Sequence, residues 1–418
     1  MNSLEHELSN RLAAVKSQGL LRRLATVDSA QAPRILLDGR ELINFSSNDY
    51  LGLAAHPRLK EAAVAAVERY GAGAGASRLI CGNLKVYQDL EEQLACFKQT
   101  AAALSFSTGY AAALGTICAL AGPADVLILD KLVHASIVDA ARLSKAVLRV
   151  FRHNDLAHLE HHLKWARGYV ESKGSADSHK PQLIVITESV FSMEGDQAQL
   201  RPIVELKERY GAWLMVDEAH ATGLYGPNRR GLAEQQGVAG QVEIQMGTLG
   251  KAAGASGGYI CGSRALVDYL VNKARSFIFS TAPVPAAAAA AQAGIALIAS
   301  DEGEKRRKSL WRLASKAAVK TAAPPASAII PIHLGPEEKA VQCAEAMLRK
   351  GIFIPAIRYP TVPKGKARLR MTLTAAHTEQ DVEFLQQQLA PFLAPAVKES
   401  DGPRAMAGSP PASRSGLE

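Results

Sequence analysis

No apolar run in the 418 residues approaches the roughly 20 needed to cross a bilayer as a helix, so a helical membrane protein is excluded. The opening Met1-Asn-Ser-Leu-Glu-His-Glu7 lacks the basic-then-apolar order of a secretion signal, and the expected compartment is the cytoplasm. Cysteine is sparse. The five (Cys81, Cys96, Cys118, Cys261 and Cys343) are odd in number and lack metal-ligand spacing, which argues against a disulfide framework or a zinc site and for reduced thiols. Aromatics are only 6%, and the lysines and arginines form no long block. The formal charge of +8 therefore does not point to nucleic acid; an anionic small molecule or a merely solvated surface accounts for it. No internal repeat is visible. What remains, 48% hydrophobic and 21% charged residues, is the composition of a soluble globular chain with room for two or three domains and a large core.

Leu4, Leu8, Leu12, Val15 and Leu20 recur near helical spacing, which predicts an amphipathic helix over residues 4–25, an arm packed on the main body. From Ile43 to about Thr281, β-rich runs alternate with helical ones: Val126–Asp130, Gln182–Thr187, Trp213–Asp217, Val242–Met246 and Gly258–Cys261. Such a pattern predicts an α/β architecture, a mainly parallel sheet covered by helices on both faces. Ligands of such sheets bind at the carboxyl ends of strands, where Glu188, Asp217 and Thr248 fall. Pro283-Val-Pro285 breaks the pattern before an alanine-rich helix and a smaller α+β region. The expected divisions are an N-terminal arm over 1–43, a large domain over 44–285, a small domain over 286–396 and a disordered tail over 397–418.

The segment Gln245-Met-Gly-Thr-Leu-Gly-Lys-Ala-Ala-Gly-Ala-Ser-Gly-Gly258 surrounds Lys251 with small residues just after a strand, leaving space for a bulky cofactor. It is not a P-loop, because position 245 is Gln and Ala252 replaces the required Ser or Thr. Gly71-Ala-Gly73-Ala-Gly-Ala76 is not a dinucleotide fingerprint either, because it follows a helix and not a strand; it reads as a turn that approaches a ligand or a neighbouring subunit closely. Upstream of Lys251, a strand ends on Asp217 with His220 three residues later. Thr248 and the Ser107-Thr-Gly-Tyr110 turn, a helix start, can hold a phosphate. An amine to condense with an aldehyde, a carboxylate for a pyridinium nitrogen and donors for a phosphate are together what pyridoxal phosphate requires. His134, just after a strand end, would stack on the cofactor face. A guanidinium from the Arg358–Arg370 segment can grip a carboxylate bidentately.

Asn44-Phe-Ser-Ser-Asn48-Asp-Tyr-Leu-Gly-Leu53, Thr187 to Asp196, Asp217-Glu-Ala-His220, Ile357 to Pro363 and Ala367 to His377 together resemble the α-oxoamine synthases, fold-type I pyridoxal phosphate enzymes, from about Leu20 to Leu393. The resemblance implies a seven-stranded, mainly parallel sheet in the large domain and an active site at a homodimer interface, with Ser280-Thr281 reaching the partner's phosphate. It implies that Lys251 joins the cofactor aldehyde, Asp217 pairs with the ring nitrogen and His134 stacks on the ring. Ser192 and His220 would lie at the ring hydroxyl, with Gly109, Tyr110 and Thr248 holding the cofactor. Asn48 and Arg358 would receive the amino acid carboxylate, and Arg22 and Thr361 would touch substrate. The implied reaction is decarboxylative condensation of L-alanine with a pimeloyl thioester of CoA or acyl carrier protein; a glycine-plus-acetyl-CoA reaction is the alternative within the family. An aminotransferase or lyase using the same lysine, or a sensor that kept the fold, are the readings outside it. Two departures stand out: Tyr87 where many relatives have histidine, which bears on a glycine-loop contact, and a polar insertion over 167–180, expected to lengthen a surface loop.

Overall fold

The computed structural model describes residues 3–22, 24–173, 180–318 and 326–393. At its centre is a seven-stranded sheet. Numbered in chain order, its strands are β1 (Ala102–Phe106), β2 (Val126–Asp130), β3 (Val147–Phe151), β4 (Leu183–Glu188), β5 (Trp213–Asp217), β6 (Ile244–Thr248) and β7 (Gly258–Gly262). They lie in the order β1-β7-β6-β5-β4-β2-β3, and only β7 runs antiparallel to its neighbours. Successive residues of a strand point to opposite faces, and here both faces are covered. Val126 and Ile128 join the core beneath one face, while Leu127 and Leu129 join the core beneath the other. That double burial is why β2, β4 and β5 read as continuous apolar runs rather than alternating ones.

Two strands went unforeseen. Ala102-Ala-Leu-Ser-Phe106 is built largely of small residues with weak strand signal, and Arg149 interrupts β3, which sits at the sheet edge. The strand expected from Val242 starts at Ile244, after a short 3-10 turn over Ala239–Gln241.

The N-terminal helix spans Ser3–Ser17, shorter than expected. None of its residues is buried and Leu4, Leu8 and Leu12 are exposed, so within the chain the stripe does not pack on the body as the periodicity suggested. Arg34–Leu37 and Arg40–Asn44 form an antiparallel pair joined by Ile352–Phe353, which ties the segment before residue 44 to the C-terminal part of the chain. There, Ile329–Gly335, Ala367–Thr372 and Ala356–Ile357 form a second small sheet. The polar insertion begins as a continuation of the helix Leu156–Lys173; its residues 174–179 and the tail over 397–418 lie outside the described residues.

Two glycines show how closely the parts fit. Gly254 has φ +69, and a Cβ there would sit 2.6 Å from the Leu53 carbonyl carbon. A Cβ on Gly294, in the alanine-rich helix Pro285–Ala299, would meet the Ala253 carbonyl oxygen at 2.1 Å. The loop that carries Lys251 is thus clamped between the Asp49–Ala54 turn and this helix. Asp49 fixes its turn by accepting from the Leu53 and Ala54 N–H groups at 2.8 and 3.0 Å.

Candidate active site

At the carboxyl ends of β4, β5 and β6 lies a cavity of about 180 Å³, lined among others by Gly109, His134, Glu188, Asp217, Thr248 and Lys251. A cavity of that order holds one aromatic ring. His220 lines it too, on the turn after β5, where the four residues Asp217 to His220 divide their tasks. Asp217 faces the cavity and accepts from the Ala219 N–H at 2.9 Å, while Glu218 points back and accepts the Leu232 and Ala233 N–H groups, each at 2.9 Å.

Lys251 Nζ lies 2.7 Å from His220 Nε2, and His220 Nδ1 lies 2.5 Å from the Tyr50 hydroxyl. Tyr50 donates to Asn48 Oδ1 at 3.3 Å, and Arg370 donates to the same oxygen from both Nη1 and Nη2, each at 3.1 Å. The directions are consistent if His220 is neutral with its proton on Nδ1, so that Nε2 accepts from the lysine. Burial and the nearby Lys251 charge push the His220 pKa well below its ordinary value, in accord with that assignment. Burial likewise lowers Lys251 to about 8, against the pull of Asp217 and Glu188. Asp217 is raised by burial and is drawn back toward ionisation by Lys251, the Ala219 N–H and His134.

His134 caps the helix Ala135–Ser144, its Nδ1 accepting from the Ser136 N–H at 3.2 Å, and its ring opens onto the cavity. Burial lowers its pKa, so the ring is neutral near pH 7. Gly109 and Tyr110 begin the helix Gly109–Leu120, capped by Thr108. A Cβ built on Gly109 would lie 3.6 Å from Thr248 Cβ, and one on Gly258 would overlap the Gly109 backbone at 2.6 Å. These close approaches bring the helix N-terminus and Thr248 to one edge of the cavity, where their donors suit an anion. Tyr110 itself is half-exposed and donates to Asp139 at 2.6 Å. The residues therefore fit pyridoxal phosphate: an amine, a buried carboxylate, an open imidazole face and a helix start, around a ring-sized space.

Arg358, expected beside Asn48, is not there. Its Nη1 donates to the Gly19 carbonyl at 2.7 Å, and Arg370 holds Asn48 instead. Arg370 also donates from Nε to the Ser192 carbonyl at 2.6 Å and from Nη1 to Thr372 Oγ1 at 3.0 Å. It is 8% exposed, and among the described residues no carboxylate lies within 4.0 Å of it. A buried cation without an acidic partner is a receptor for one from outside. The sequence held a clue: Ala367-Arg-Leu-Arg-Met-Thr372 is a strand buried at every position, so its arginines require a use. Arg22 and Thr361 are exposed; Thr361 donates its N–H to the Arg358 carbonyl at 3.0 Å, on the loop whose Arg358 binds the Gly19 carbonyl, three residues before Arg22. Tyr50 was missed as a site residue, because neither motif spacing nor composition distinguishes it from a core residue, and Glu188, though expected at a ligand-binding strand end, was given no role.

Tyr87 donates to the Pro283 carbonyl, with the Arg78 guanidinium 5.0 Å above its ring. The glycine-rich turn before it is held by a Ser77–Thr281 bridge and by the Ala282 N–H donating to the Ala76 carbonyl at 3.0 Å. This turn and Ser280-Thr281 therefore form one surface.

The loop that carries Ser192 is secured from below. His153 lies 3.0 Å from Asp130 and 2.8 Å from Asp196, with its ring edge-on to Phe191. The two carboxylates outweigh burial and raise its pKa from 6.5 to about 10. The sign follows: stability from the charged ring is fully present below pH 6.5 and is lost as pH climbs to about 10. Lys251, lowered in the fold, has the opposite slope in this range, but it cancels in a comparison between variants. His153→Gln is expected to melt well below the wild type at pH 6 and to close that gap by pH 10 in thermal scans. A gap independent of pH would show that the imidazolium is not the source.

With the geometry in place, the relatives are informative. Residues 40–389 match the aminotransferase class I and II family. The chain is 46% identical to the 8-amino-7-oxononanoate synthase of Geobacter sulfurreducens, over 91% of this chain and 96% of that one. To the same-named enzyme of Chromobacterium violaceum it is 45% identical, with the same coverage. Among solved structures, a serine palmitoyltransferase from S. paucimobilis with bound PLP and myriocin superposes with a TM-score of 0.84 at 28% identity, covering 94% of this chain and 98% of that one. The chain belongs to the class I and II aminotransferase family of fold-type I pyridoxal phosphate enzymes and, within it, to the α-oxoamine synthases. It is a pyridoxal phosphate-dependent acyltransferase.

Proposed function

We propose that the chain catalyses the decarboxylative condensation of L-alanine with a pimeloyl thioester, of CoA or of acyl carrier protein, giving 8-amino-7-oxononanoate, CO2 and the free thiol for biotin synthesis. The observation that carries this reading is the connected row Lys251, His220, Tyr50, Asn48 and Arg370, which joins a basic amine to a carboxylate receptor. The 41–46% identity to curated 8-amino-7-oxononanoate synthases supports the particular substrates. Bound pyridoxal phosphate supplies an aldehyde for amines and a sink for the electrons released at the amino acid's Cα.

The chain's own residues do the rest. Asp217 keeps negative charge where the ring nitrogen would sit, and His134 offers its flat face to the ring. Thr248, Gly109 and Tyr110 would hold the phosphate end, and Ser192 and His220 would lie at the ring hydroxyl. Arg370 and Asn48 receive the alanine carboxylate, in the role first expected of Arg358 and Asn48. Lys251, with a pKa near 8, can take the Cα proton on Nζ and return one at the end. Its neighbour His220, being neutral, can accept a hydrogen bond from the loaded amine. Arg22, Arg358 and Thr361 belong to the substrate's acyl end, where a guanidinium can meet the distal carboxylate of a pimeloyl chain. No helix among the described residues is long and apolar enough to cross a membrane. We place the active form in the cytoplasm as a homodimer, with Ser280-Thr281 at the partner's phosphate, and divide the subunit into an arm over 1–43, a cofactor domain over 44–285 and a small domain over 286–396.

The test is a substrate panel. Alanine with pimeloyl-CoA is expected to release free CoA and a product whose mass matches 8-amino-7-oxononanoate, whereas glycine with acetyl-CoA is not. The opposite preference would move the chain to the glycine-using branch, and product formation without any thioester would return it to the aminotransferases.

A further inference from the structure

Glu188 and Asp217 are register partners on the parallel strands β4 and β5, so their side chains leave the sheet side by side. Adjacent parallel strands lie about 4.8 Å apart, and two carboxylates at that spacing cannot both ionise cheaply away from water. One of them must hold a proton.

The surroundings select which. Asp217 has the Ala219 N–H on Oδ1 and feels the positive charge of Lys251. Glu188 is 2% exposed, and among the described residues its Oε1 is sealed from solvent without a hydrogen-bond partner. The groups facing it are Asp217, which opposes its ionisation, Lys251 and the His134 and Ser192 N–H groups, which favour it, and the Tyr50 hydroxyl. An anionic oxygen with no donor costs far more than a neutral hydroxyl in the same place. Burial and Asp217 together drive the Glu188 pKa well above the ordinary carboxylate range, in accord with the geometry.

We propose that Glu188 is the proton-holding member of a carboxyl pair and a positioning residue of the reaction, confining the pair's single negative charge to Asp217. The consequence for catalysis rests on the reading of this cavity as the pyridoxal phosphate site. A neutral Glu188 leaves Asp217 as the one acceptor for a ring N–H. It also removes a second anion that would hold Lys251 protonated. The pair therefore serves both the ring nitrogen and the amine with one charge.

Two measurements on the cofactor-free full chain test this, so neither depends on whether the cofactor binds; that binding is checked separately by the visible absorbance of wild type with added pyridoxal phosphate. In the first, infrared spectra are recorded at neutral pH with and without carbon-13 in the glutamate side-chain carboxyls. Glu188 is the only described glutamate with a side-chain oxygen sealed from solvent and lacking a hydrogen-bond partner, so a protonated-carboxyl band that moves with the label is expected; its absence overturns the proposal. In the second, acylation of the Lys251 amine is followed across pH by peptide mass spectrometry. Asp217→Asn is expected to lower the titration midpoint by roughly one pH unit, because a real charge is removed, and Glu188→Gln to leave it in place. A Glu188→Gln shift as large as that of Asp217→Asn would put the charge on Glu188 and end the idea. Should Glu188→Gln fail to fold, the infrared result on wild type decides alone.

Discussion

Lys251→Ala is expected to lose the visible absorbance of bound pyridoxal phosphate and to lower turnover by roughly 10⁴-fold or more, the two losses occurring together. The magnitude follows from the two tasks one amine performs. Among the described residues it is the only lysine lining the cavity, and the pKa of the group next to it, His220, is pushed well below its ordinary value by burial and nearby positive charge, so it makes a poor replacement base. The pH dependence adds a second check. Capture of an aldehyde needs the free amine, and with a pKa of about 8 the rate of pyridoxal phosphate uptake should rise nearly tenfold per pH unit below 8 and level off above it. A lysine at its ordinary 10.5 would still be climbing. Absorbance-monitored reconstitution of wild type and Lys251→Ala reads both effects, and normal turnover by the variant without added amine would remove Lys251 from the mechanism.

How far the sequence reveals this site depends on what each residue does locally. Asp217, His220, Thr248 and Lys251 stand at strand ends, among residues whose small size or polarity contrasts with the apolar runs before them, and that contrast survives in one dimension. The β2, β4 and β5 strands are legible for the same reason, since burial on both faces writes an unbroken apolar string. Tyr50 leaves no such mark, and Glu188 shows only as a strand-end carboxylate without a task. Each follows or ends a stretch that any core would contain, and only the folded arrangement puts Tyr50 on the far side of the His220 ring, or Glu188 in register with Asp217. The N-terminal helix shows the converse. Its apolar stripe is plain in the sequence, yet periodicity says only that a face is apolar, not what covers it.

Arg358 and Arg370 pose the same problem, and separating them is the second large effect. Both lie in one arginine-rich stretch, and the prolines around Arg358 make it the more conspicuous. The fold reverses the choice, burying Arg370 beside Asn48 and leaving Arg358 on the Gly19 carbonyl. Arg370→Ala is therefore expected to raise KM for alanine by roughly 10²- to 10³-fold, the cost of about 3–4 kcal/mol for losing a charge-assisted bidentate contact in a buried setting. Arg370→Lys should recover little of it, since an ammonium cannot present two parallel donors to a carboxylate. Because Arg370 also holds the Ser192 carbonyl, kcat should fall too, but pyridoxal phosphate binding should persist, as Lys251, Asp217, Gly109 and Thr248 make no hydrogen bond to it. Arg358→Ala should leave KM for alanine within about threefold of wild type, the range of a lost half-exposed contact. Its effect should fall on KM for the pimeloyl thioester, because Arg358 closes onto the same segment that carries Arg22. Steady-state kinetics in both substrates distinguish the two arginines, and a large alanine KM effect from Arg358→Ala with none from Arg370→Ala would reverse the assignment.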